Sequence, residues 1–367
     1  MIYYTEFILY FYRMPPDRGL ADRVLSGLKS QKTRITYALT ANADGSHKLP
    51  PFIIGRWNKP RPFGGKTGEQ LGFKYRNNKK AWMTATLYQE WLLNWDAQLT
   101  AQDPERKILL LQDNCTAHIP PDGLRSIIVE NLEPNLTAHV QPNDQGIIRC
   151  FKAHYRARFT HRSIDRYNSG VPIADIYAIN QLEAMRIADE AWRDVNADTI
   201  RHCWRKAGIL PDNLDPRSPT PSIPIESLPT APLDPISHAE ATLTTAIDSL
   251  VDTGMLRHLD RMDLNEILDP VEESAAAEVW TDEEIFQAVL EGDEDSEDAS
   301  QAEPILPQPT RQEVFSAVEV LRRFTVSMDD VDARRLESAL GSFTRMLRVS
   351  SQAEMVSSKI TDYFPPP

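Results

Sequence analysis

The stretch "KILLLQDNCTAHIP", Lys107 to Pro120, contains an apolar run that ends abruptly on polar residues. Its segment Ile108–Leu111 predicts a buried strand, and Gln112 and Asp113 follow directly. A second predicted strand, "LTAHVQP", is followed by Asp144. If the two strands are neighbours, both carboxylates lie at one edge of the sheet and offer the hard oxygen ligands that Mg²⁺ prefers. An aspartate after a strand also commonly caps the next turn, so the spacing alone leaves both interpretations open.

The surrounding sequence predicts a mixed sheet covered by helices. Three stretches rich in β-branched and aromatic residues predict strands, "MIYYTEFILYFY", "RITYALTANADG" and "LPPFIIGRW". Asn42–Ser46 has the Asp-Gly pair of a hairpin turn. A helix capped by Thr84 is expected from apolar residues at helical spacing, which are Leu87, Trp91, Leu92 and Trp95. Further strands and then several helices complete an α/β pattern.

Composition limits the classes of protein that remain. The chain has 367 residues, of which 41% are hydrophobic and 25% charged. It has no apolar run long enough to span a bilayer, so we expect a soluble, intracellular protein without a membrane partner. Three cysteines without CxxC spacing predict neither disulfides nor a zinc site. The net charge of -13 combines a balance of +8 over residues 1–210 with one of -21 beyond them, so only the front part favours a polyanionic partner.

The composition predicts five segments. Residues 1–210 form the folded core, and residues 211–245 form a linker rich in proline and serine. Residues 246–310 are predicted to be acidic and mostly disordered, with short helices. Residues 311–350 predict a helical hairpin, and residues 351–367 form a tail. The inner faces of the hairpin are predicted to carry Val314, Val318, Leu321, Leu336 and Leu340.

Four motifs resemble the catalytic domain of pogo and Tigger type transposases. They are "RITYALTANADGSHKLPPFIIGRWNKPRPF", "LLLQDNCTAH", "HVQPNDQGIIRCFKAHYR" and "VNADTIRHCWRKAGI". This family belongs to the mariner superfamily, which includes the transposase-derived centromere protein B. The resemblance implies a ribonuclease H-like fold in which three acidic residues hold Mg²⁺, or Mn²⁺, for DNA strand cleavage and transfer.

The resemblance places the second acidic residue of the family on Asp113 and the third on Asp144. The family's first acidic residue belongs to an Asp-Glu-Thr-Gly motif, whereas here the nearest carboxylate is Glu6. Glutamate extends its carboxylate by roughly 1.5 Å relative to aspartate, and catalytic geometry tolerates about 0.5 Å. The family's helix-turn-helix region is not found before Glu6, so we expect a degenerate or N-terminally truncated element, or a gene model begun too late.

Other residues near these motifs are candidates for supporting roles. His118 is expected to make a structural hydrogen bond, with direct metal ligation as the alternative, and Asn114 and Gln145 are candidate outer-shell donors to the carboxylates. Two stretches interleave basic and aromatic residues, which suits contact with a phosphate backbone. Their candidate DNA contacts are Lys74, Arg76, Lys79, Lys80, Lys152 and Arg156. A solvated basic helix face is the alternative for the second stretch.

The tail "SSKITDYF" resembles the peptide box through which replication and repair proteins bind the sliding clamp, proliferating-cell nuclear antigen. Ile360 precedes the aromatic pair Tyr363 and Phe364 by the spacing that one helical turn requires. The glutamine that usually opens such a box is replaced by Ser357. A frayed hydrophobic tail is the alternative.

Three functions therefore compete. The first is a nuclear, transposase-derived protein that binds DNA and whose ancestral activity is Mg²⁺-dependent strand cleavage and transfer. The second is a catalytically inactive DNA-binding protein of the centromere protein B type. The third is an interaction module that acts through the tail.

Overall fold

The computed structural model describes residues 1–17, 33–115, 117–132, 141–209, 234–271, 273, 309–326, 328 and 330–354. The chain divides into two compact units, residues 1–301 and 302–367. The first unit contains a six-stranded sheet with the order β4-β3-β2-β1-β5-β6. Its strands are β1 Ile2–Phe11, β2 Arg34–Asn42, β3 Phe52–Gly55, β4 Lys74–Asn77, β5 Ile108–Gln112 and β6 Ile127–Asn131.

The helices follow and flank these strands. The first unit contains α1 Ala85–Gln102, α2 Ile148–Asn168, α3 Gln181–Asp194, α4 Ala197–Lys206, α5 Pro235–Asp252 and α6 Leu264–Leu268, and the second contains α7 Arg311–Val326 and α8 Val331–Glu354. The hydroxyl of Thr84 accepts a bond from the Leu87 N–H at 3.3 Å, so α1 begins on the predicted cap. No helix in the described part of the chain is long and apolar enough to cross a membrane.

The direction of the strands follows from their connections. The first three predicted strands form β1, β2 and β3, and β2 pairs antiparallel with both of its neighbours. Gly45, with φ 69°, occupies the turn after β2, as the Asp-Gly pair predicted. β5 pairs in parallel with both β1 and β6, and β4 pairs in parallel with β3. The predicted mixed sheet flanked by helices is therefore confirmed.

Alternate residues of β1 contribute to the cores on opposite faces of the sheet. Tyr3 and Phe7 pack with α1 in one apolar cluster. Tyr4 and Ile8 pack with α2, α3, α4 and α5 in the other. Because side chains alternate along a strand, Glu6 lies on the face of Tyr4 and Ile8, below the helix that follows Asp144.

Helix α5 corrects the predicted linker. It begins at Pro235, inside the segment 211–245 that composition assigned to a linker, and it packs along α2. Leu243, Ile247 and Leu250 are fully buried in the same core as the sheet. Their helical spacing lies beyond the proline-rich stretch, so a composition average across the whole segment obscured it.

The second unit is a helical hairpin of α7 and α8, in agreement with the sequence prediction. Val318 is buried, as predicted for an inner face. Leu321 and Leu336 are 43% and 44% exposed, so neighbouring residues cover them only in part. Helical spacing identifies an apolar stripe but does not determine which part of the stripe a neighbouring helix covers.

Some predicted elements lie outside the described residues. Most of the strand predicted for "LTAHVQP" falls in 133–140, and the acidic tract falls in 274–308. The clamp-binding residues Ile360, Tyr363 and Phe364 fall in 355–367. These assignments therefore stay predictions.

Candidate metal centre

Glu6 lies on β1 where the neighbouring strand β5 ends. In the parallel β1–β5 pair, Tyr4 is opposite Leu111. Continuing this register by two residues on each strand places Glu6 level with Asp113. The partly buried Glu6 accepts a hydrogen bond at Oε2 from the Tyr4 hydroxyl at 2.7 Å. The pairing of two strands therefore brings together carboxylates that are more than a hundred positions apart in the chain.

Asp113 is held by a buried histidine. Its Oδ1 contacts Nδ1 of His118, whose side chain is only 3% exposed. The His118 ring packs between Phe7 of β1 and Tyr88 of α1, with ring centroids 4.7 and 5.2 Å away. The contact restricts the orientation of the Asp113 carboxylate, and the structural role of His118 stays a prediction.

Asp144 belongs to a π-helical turn, Asn143–Ile147, that leads into α2. The Asn143 amide donates to the Leu39 carbonyl at 3.0 Å and so attaches the turn to β2. Gly146 has φ 144°, and a Cβ atom there would collide with Ile236 of α5, so glycine suits both the backbone and the packing. The turn presents Asp144 with its side chain exposed to solvent.

Electrostatics link the three carboxylates. Burial raises the pKa of Glu6 well above its ordinary value, and the charges of Asp113 and Asp144 raise it further. Although Asp144 meets solvent, nearby protein atoms remove part of its hydration and raise its pKa to about 6. Asp113 and Asp269 add to this rise, whereas Lys152 opposes it. Glu6 and Asp144, together with Asp113, therefore form a site of concentrated negative potential.

The donor chemistry of this set suits a hard divalent cation, although its three carboxylates do not all lie within 4.8 Å of one another. All three side chains offer carboxylate oxygen, the ligand preferred by Mg²⁺ and Mn²⁺. A bound cation would offset the repulsion between the carboxylates, because a positive charge favours the ionised form of every group around it. Glu6 on β1 and Asp113 at the end of β5 also have the rigid supports that a metal site needs.

Sequence reasoning missed several residues beside these carboxylates. Tyr4 bonds Glu6. The Gln112 side chain accepts a hydrogen bond from the Tyr88 hydroxyl and donates one to the His118 carbonyl at 3.0 Å. Through Tyr88, helix α1 therefore restrains the end of β5. The alternation of β1 could have placed Tyr4 on the face of Glu6, but the contacts of Tyr88 depend on packing between distant segments.

The predicted outer-shell donors differ in their surroundings. Asn114 is exposed, directly after Asp113. Gln145 is partly buried, and its backbone N–H donates to the Gln141 carbonyl at 3.2 Å. Their roles toward the carboxylates stay predictions.

The structure contradicts two of the predicted DNA contacts. Lys152 and Arg156 are only 6% and 2% exposed. Lys152 Nζ donates to Glu273 at 2.8 Å, and Arg156 donates to the carbonyls of Phe11 and Met14 at 3.0 and 2.8 Å. The basic face of this helix is therefore internal, because α5, α6 and the segment that carries Glu273 pack against it.

The other predicted contacts lie around β4. Arg76 pairs with Glu90 at 2.6 Å and with Glu69 at 3.1 Å, so its charge is already compensated. Lys74 and Lys80 are partly buried, and Lys79 is exposed. Their contact with DNA stays a prediction.

Comparison with known proteins identifies related chains. Residues 32–204 match the DDE superfamily endonuclease family, and this range includes Asp113 and Asp144 but not Glu6. The chain is 30% identical to Tigger transposable element-derived protein 4 of Mus musculus over 321 residues, which cover 87% of this chain and 59% of that protein. Identity is 30% to the human major centromere autoantigen B over 201 residues, 54% of this chain and 32% of that protein.

A third relative, ARS-binding protein 1 of Schizosaccharomyces pombe, is 28% identical over 211 residues, 54% of this chain and 39% of that protein. The chain thus spans less than two thirds of these relatives' length. No solved structure matches the chain. The match of residues 32–204 to a DDE superfamily endonuclease domain implies dependence on a divalent metal in general. The chain is therefore related to the pogo and Tigger type transposases and to the centromere autoantigen B proteins, and it carries a region similar to the DDE superfamily endonuclease domain.

Proposed function

We propose that this chain is a nuclear DNA-binding protein whose DDE domain binds Mg²⁺, or Mn²⁺, and cleaves and transfers DNA strands. The observation that carries the proposal is the parallel register of β1 and β5, which places Glu6 level with Asp113, together with the contact between β1 and the turn that carries Asp144. Two further observations support the same conclusion. The matching family requires a divalent metal, and the pKa values of Glu6 and Asp144 are raised.

Each residue has a separate task in the proposed reaction. Glu6, Asp113 and Asp144 would hold the metal, which would supply activation of water or of a DNA 3′-hydroxyl for attack on a phosphodiester. His118 restrains Asp113 through its buried ring, and the Tyr4 hydroxyl restrains Glu6. The exposed position of Asp144 leaves the site open to a large substrate such as DNA.

A basic loop between β3 and β4 is the proposed contact for the phosphate backbone. Its exposed cations are Arg56, Lys59, Arg61 and Lys66. Glu69, the one acidic residue in the sequence of this loop, pairs with Arg76 of β4, so the four cations give the loop a net positive charge. Cations of this kind provide the salt-dependent part of DNA affinity.

The catalytic part is tested with supercoiled DNA that carries terminal inverted repeats, in Mg²⁺ and in Mn²⁺. We expect nicking by the natural chain, with loss of the product in Asp113→Asn and in Asp144→Asn. Asp122→Asn is the matched control, because Asp122 is an exposed aspartate in the loop that follows. Nicking that survives Asp113→Asn refutes the assignment of the site.

The DNA-binding part is tested by measuring affinity at several salt concentrations. Replacing Lys59 and Arg61 together by glutamine is expected to reduce the slope of log affinity against log salt by about 0.9 for each phosphate that is no longer neutralised. Arg186→Gln, at an exposed position of α3, is the control. An unchanged slope in the double variant excludes the basic loop as the contact.

The second candidate is a DNA-binding protein without catalysis, and Glu6 is the observation that favours it. Its side chain is longer than the aspartate of the family resemblance, and its raised pKa opposes ionisation. Glu6→Asp separates the two candidates. If the natural chain binds DNA without nicking it and Glu6→Asp nicks, only the first ligand is degenerate. If neither nicks, the non-catalytic function is supported.

A further inference from the structure

The loop after β5 brings a second set of metal-ligating atoms together. Asp113, Cys115 and His118 each offer one ligand atom, and these atoms all lie within 4.8 Å of one another. Within the described residues, no other group of three histidine, cysteine or acidic ligands is this compact. The cysteine spacing of the sequence did not predict such a site, because two of the three ligands are not cysteines.

The backbone and the core fix the positions of these three ligands. The His118 N–H donates to the Cys115 carbonyl at 3.0 Å, which closes a tight turn between them. The His118 ring is buried against Phe7 and Tyr88. Asp113 follows β5 directly, so its backbone is attached to the sheet. Ligands on such supports reorganise little when an ion binds.

The chemistry of the set differs from that of the carboxylate site. A thiolate, an imidazole and a carboxylate together match Zn²⁺ and similar borderline ions, whereas Mg²⁺ prefers oxygen alone. We propose that Asp113, Cys115 and His118 form a binding site for a thiophilic divalent ion of the Zn²⁺ type, which shares Asp113 with the Mg²⁺ site. Three protein ligands leave a fourth tetrahedral position open to water.

Binding is balanced in protons and bonds. His118 Nδ1 and Asp113 Oδ1 are in direct contact and separate to admit the ion, and the ring proton of the imidazole then resides on Nε2. The Cys115 thiol loses its proton to solvent, so binding releases one proton for each ion. Bonds form from the ion to sulfur, nitrogen and oxygen, and no oxidant or reductant is needed.

The shared aspartate gives this site a regulatory consequence, which rests on the proposed function. An ion held by Cys115 and His118 draws the Asp113 carboxylate away from Glu6 and Asp144. Zn²⁺ is therefore expected to compete with Mg²⁺ or Mn²⁺. Binding of the thiophilic ion itself does not depend on catalysis.

Co²⁺ titration of the full chain tests the site, because a cobalt–thiolate bond gives a charge-transfer band in the near ultraviolet. We expect one band that Zn²⁺ abolishes, and its loss in Cys115→Ser and in His118→Gln. Cys150→Ala and Cys203→Ala are the controls, since both cysteines are buried elsewhere and should leave the band intact. Zn²⁺ affinity should fall in Cys115→Ser by more than the roughly 100-fold upper limit for outer-shell losses.

Folding of each variant is verified by circular dichroism. A band that persists in Cys115→Ser, or the absence of any band in the natural chain, overturns the proposal. Mn²⁺ binding, followed by electron paramagnetic resonance, separates this result from the proposed function. Mn²⁺ affinity should fall in Asp144→Asn and remain unchanged in Cys115→Ser. If the cobalt band is present but Mn²⁺ affinity is unchanged in Asp144→Asn, only the carboxylate site is refuted. If the cobalt band is absent but Mn²⁺ affinity falls in Asp144→Asn, only the thiophilic site is refuted.

Discussion

Two charged clusters beside α2 have opposite electrostatic character. At the carboxylate cluster, the charges of Asp113 and Asp144 oppose the ionisation of Glu6, and the charge of Asp113 opposes that of Asp144. At the ion-pair cluster, Lys152 and Glu273 are both nearly inaccessible to solvent and lie 2.8 Å apart. Arg156 lies 3.9 Å from the same glutamate. The first cluster is proposed to bind a cation from outside the chain, whereas the second contains its own counter-charges.

The difference between the clusters distinguishes a binding site from an internal support. Glu273 Oε1 also accepts the Phe11 N–H at 2.9 Å, so the ion-pair cluster joins a distant segment to the end of β1. Buried pairs cost desolvation energy and lose much stability when one partner is removed. The carboxylate cluster is expected to have the reverse property, because removing one charge relieves repulsion but removes a proposed metal ligand.

The largest loss in the free energy of unfolding is expected when the ion-pair cluster is broken. Glu273→Gln leaves Lys152 buried without its carboxylate, and we expect a loss of about 3–5 kcal/mol in the free energy of unfolding. Chemical denaturation followed by tryptophan fluorescence measures it. Glu240→Gln is the control, because its partner Arg149 is partly exposed and the pair contributes about 1 kcal/mol at most. Adding Lys152→Met to Glu273→Gln should recover part of the loss, and a loss as small as that of the control contradicts the buried pair.

The second prediction removes the ligand shared by both proposed metal sites. Asp113→Asn should lower the affinity for Mn²⁺ and for Co²⁺ by more than about 100-fold, since it deletes a direct ligand rather than an outer-shell bond. Isothermal titration calorimetry with each ion measures the change. Asp122→Asn should bind both ions as the natural chain does. Retained Mn²⁺ binding in Asp113→Asn is incompatible with the carboxylate cluster as a metal site.

The third prediction uses pH to change the charge of the carboxylate cluster. The pKa of Asp144 is raised from 3.8 to about 6, so Mn²⁺ affinity should fall below that pH by up to about tenfold per unit. Without metal, the raised pKa favours the protonated folded state. Its stabilising contribution is complete below pH 3.8 and is lost as the pH rises through about 6.

The side chain of Asp144 is exposed, so this contribution to stability should be below about 1 kcal/mol. It is measured as the difference between the natural chain and Asp144→Asn in metal-free denaturation at pH 5 and pH 7.5. Saturating Mn²⁺ should reverse the trend in the natural chain alone. Identical pH profiles of the two proteins rule out the raised pKa.

The smallest expected effect concerns the restraint on Glu6. Tyr4→Phe removes the 2.7 Å hydrogen bond to Oε2, and Mn²⁺ affinity should change by about two- to tenfold, the range of one hydrogen bond. Tyr3→Phe is the matched control, because Tyr3 belongs to the same strand and packs on its opposite face. An equal change in both variants indicates a general effect on β1.

Much of the fold was predictable because local patterns specify it. The apolar run before Asp113 formed β5, and the cap at Thr84 began α1. The burial of Lys152 was not predictable in the same way. Its basic neighbours resemble a solvated helix face, and only the packing of a segment more than a hundred residues later encloses it.

The sequence by itself determined which residues can do chemistry and where strands end on a carboxylate, because both depend on residue type and local periodicity. Only the tertiary structure decided which of them meet. The parallel register of β1 and β5 places Glu6 level with Asp113, the turn before α2 adds Asp144, and the loop after β5 turns Cys115 and His118 toward the same aspartate. Electrostatic coupling and metal ligation depend on distance in space, which spacing along the chain does not specify.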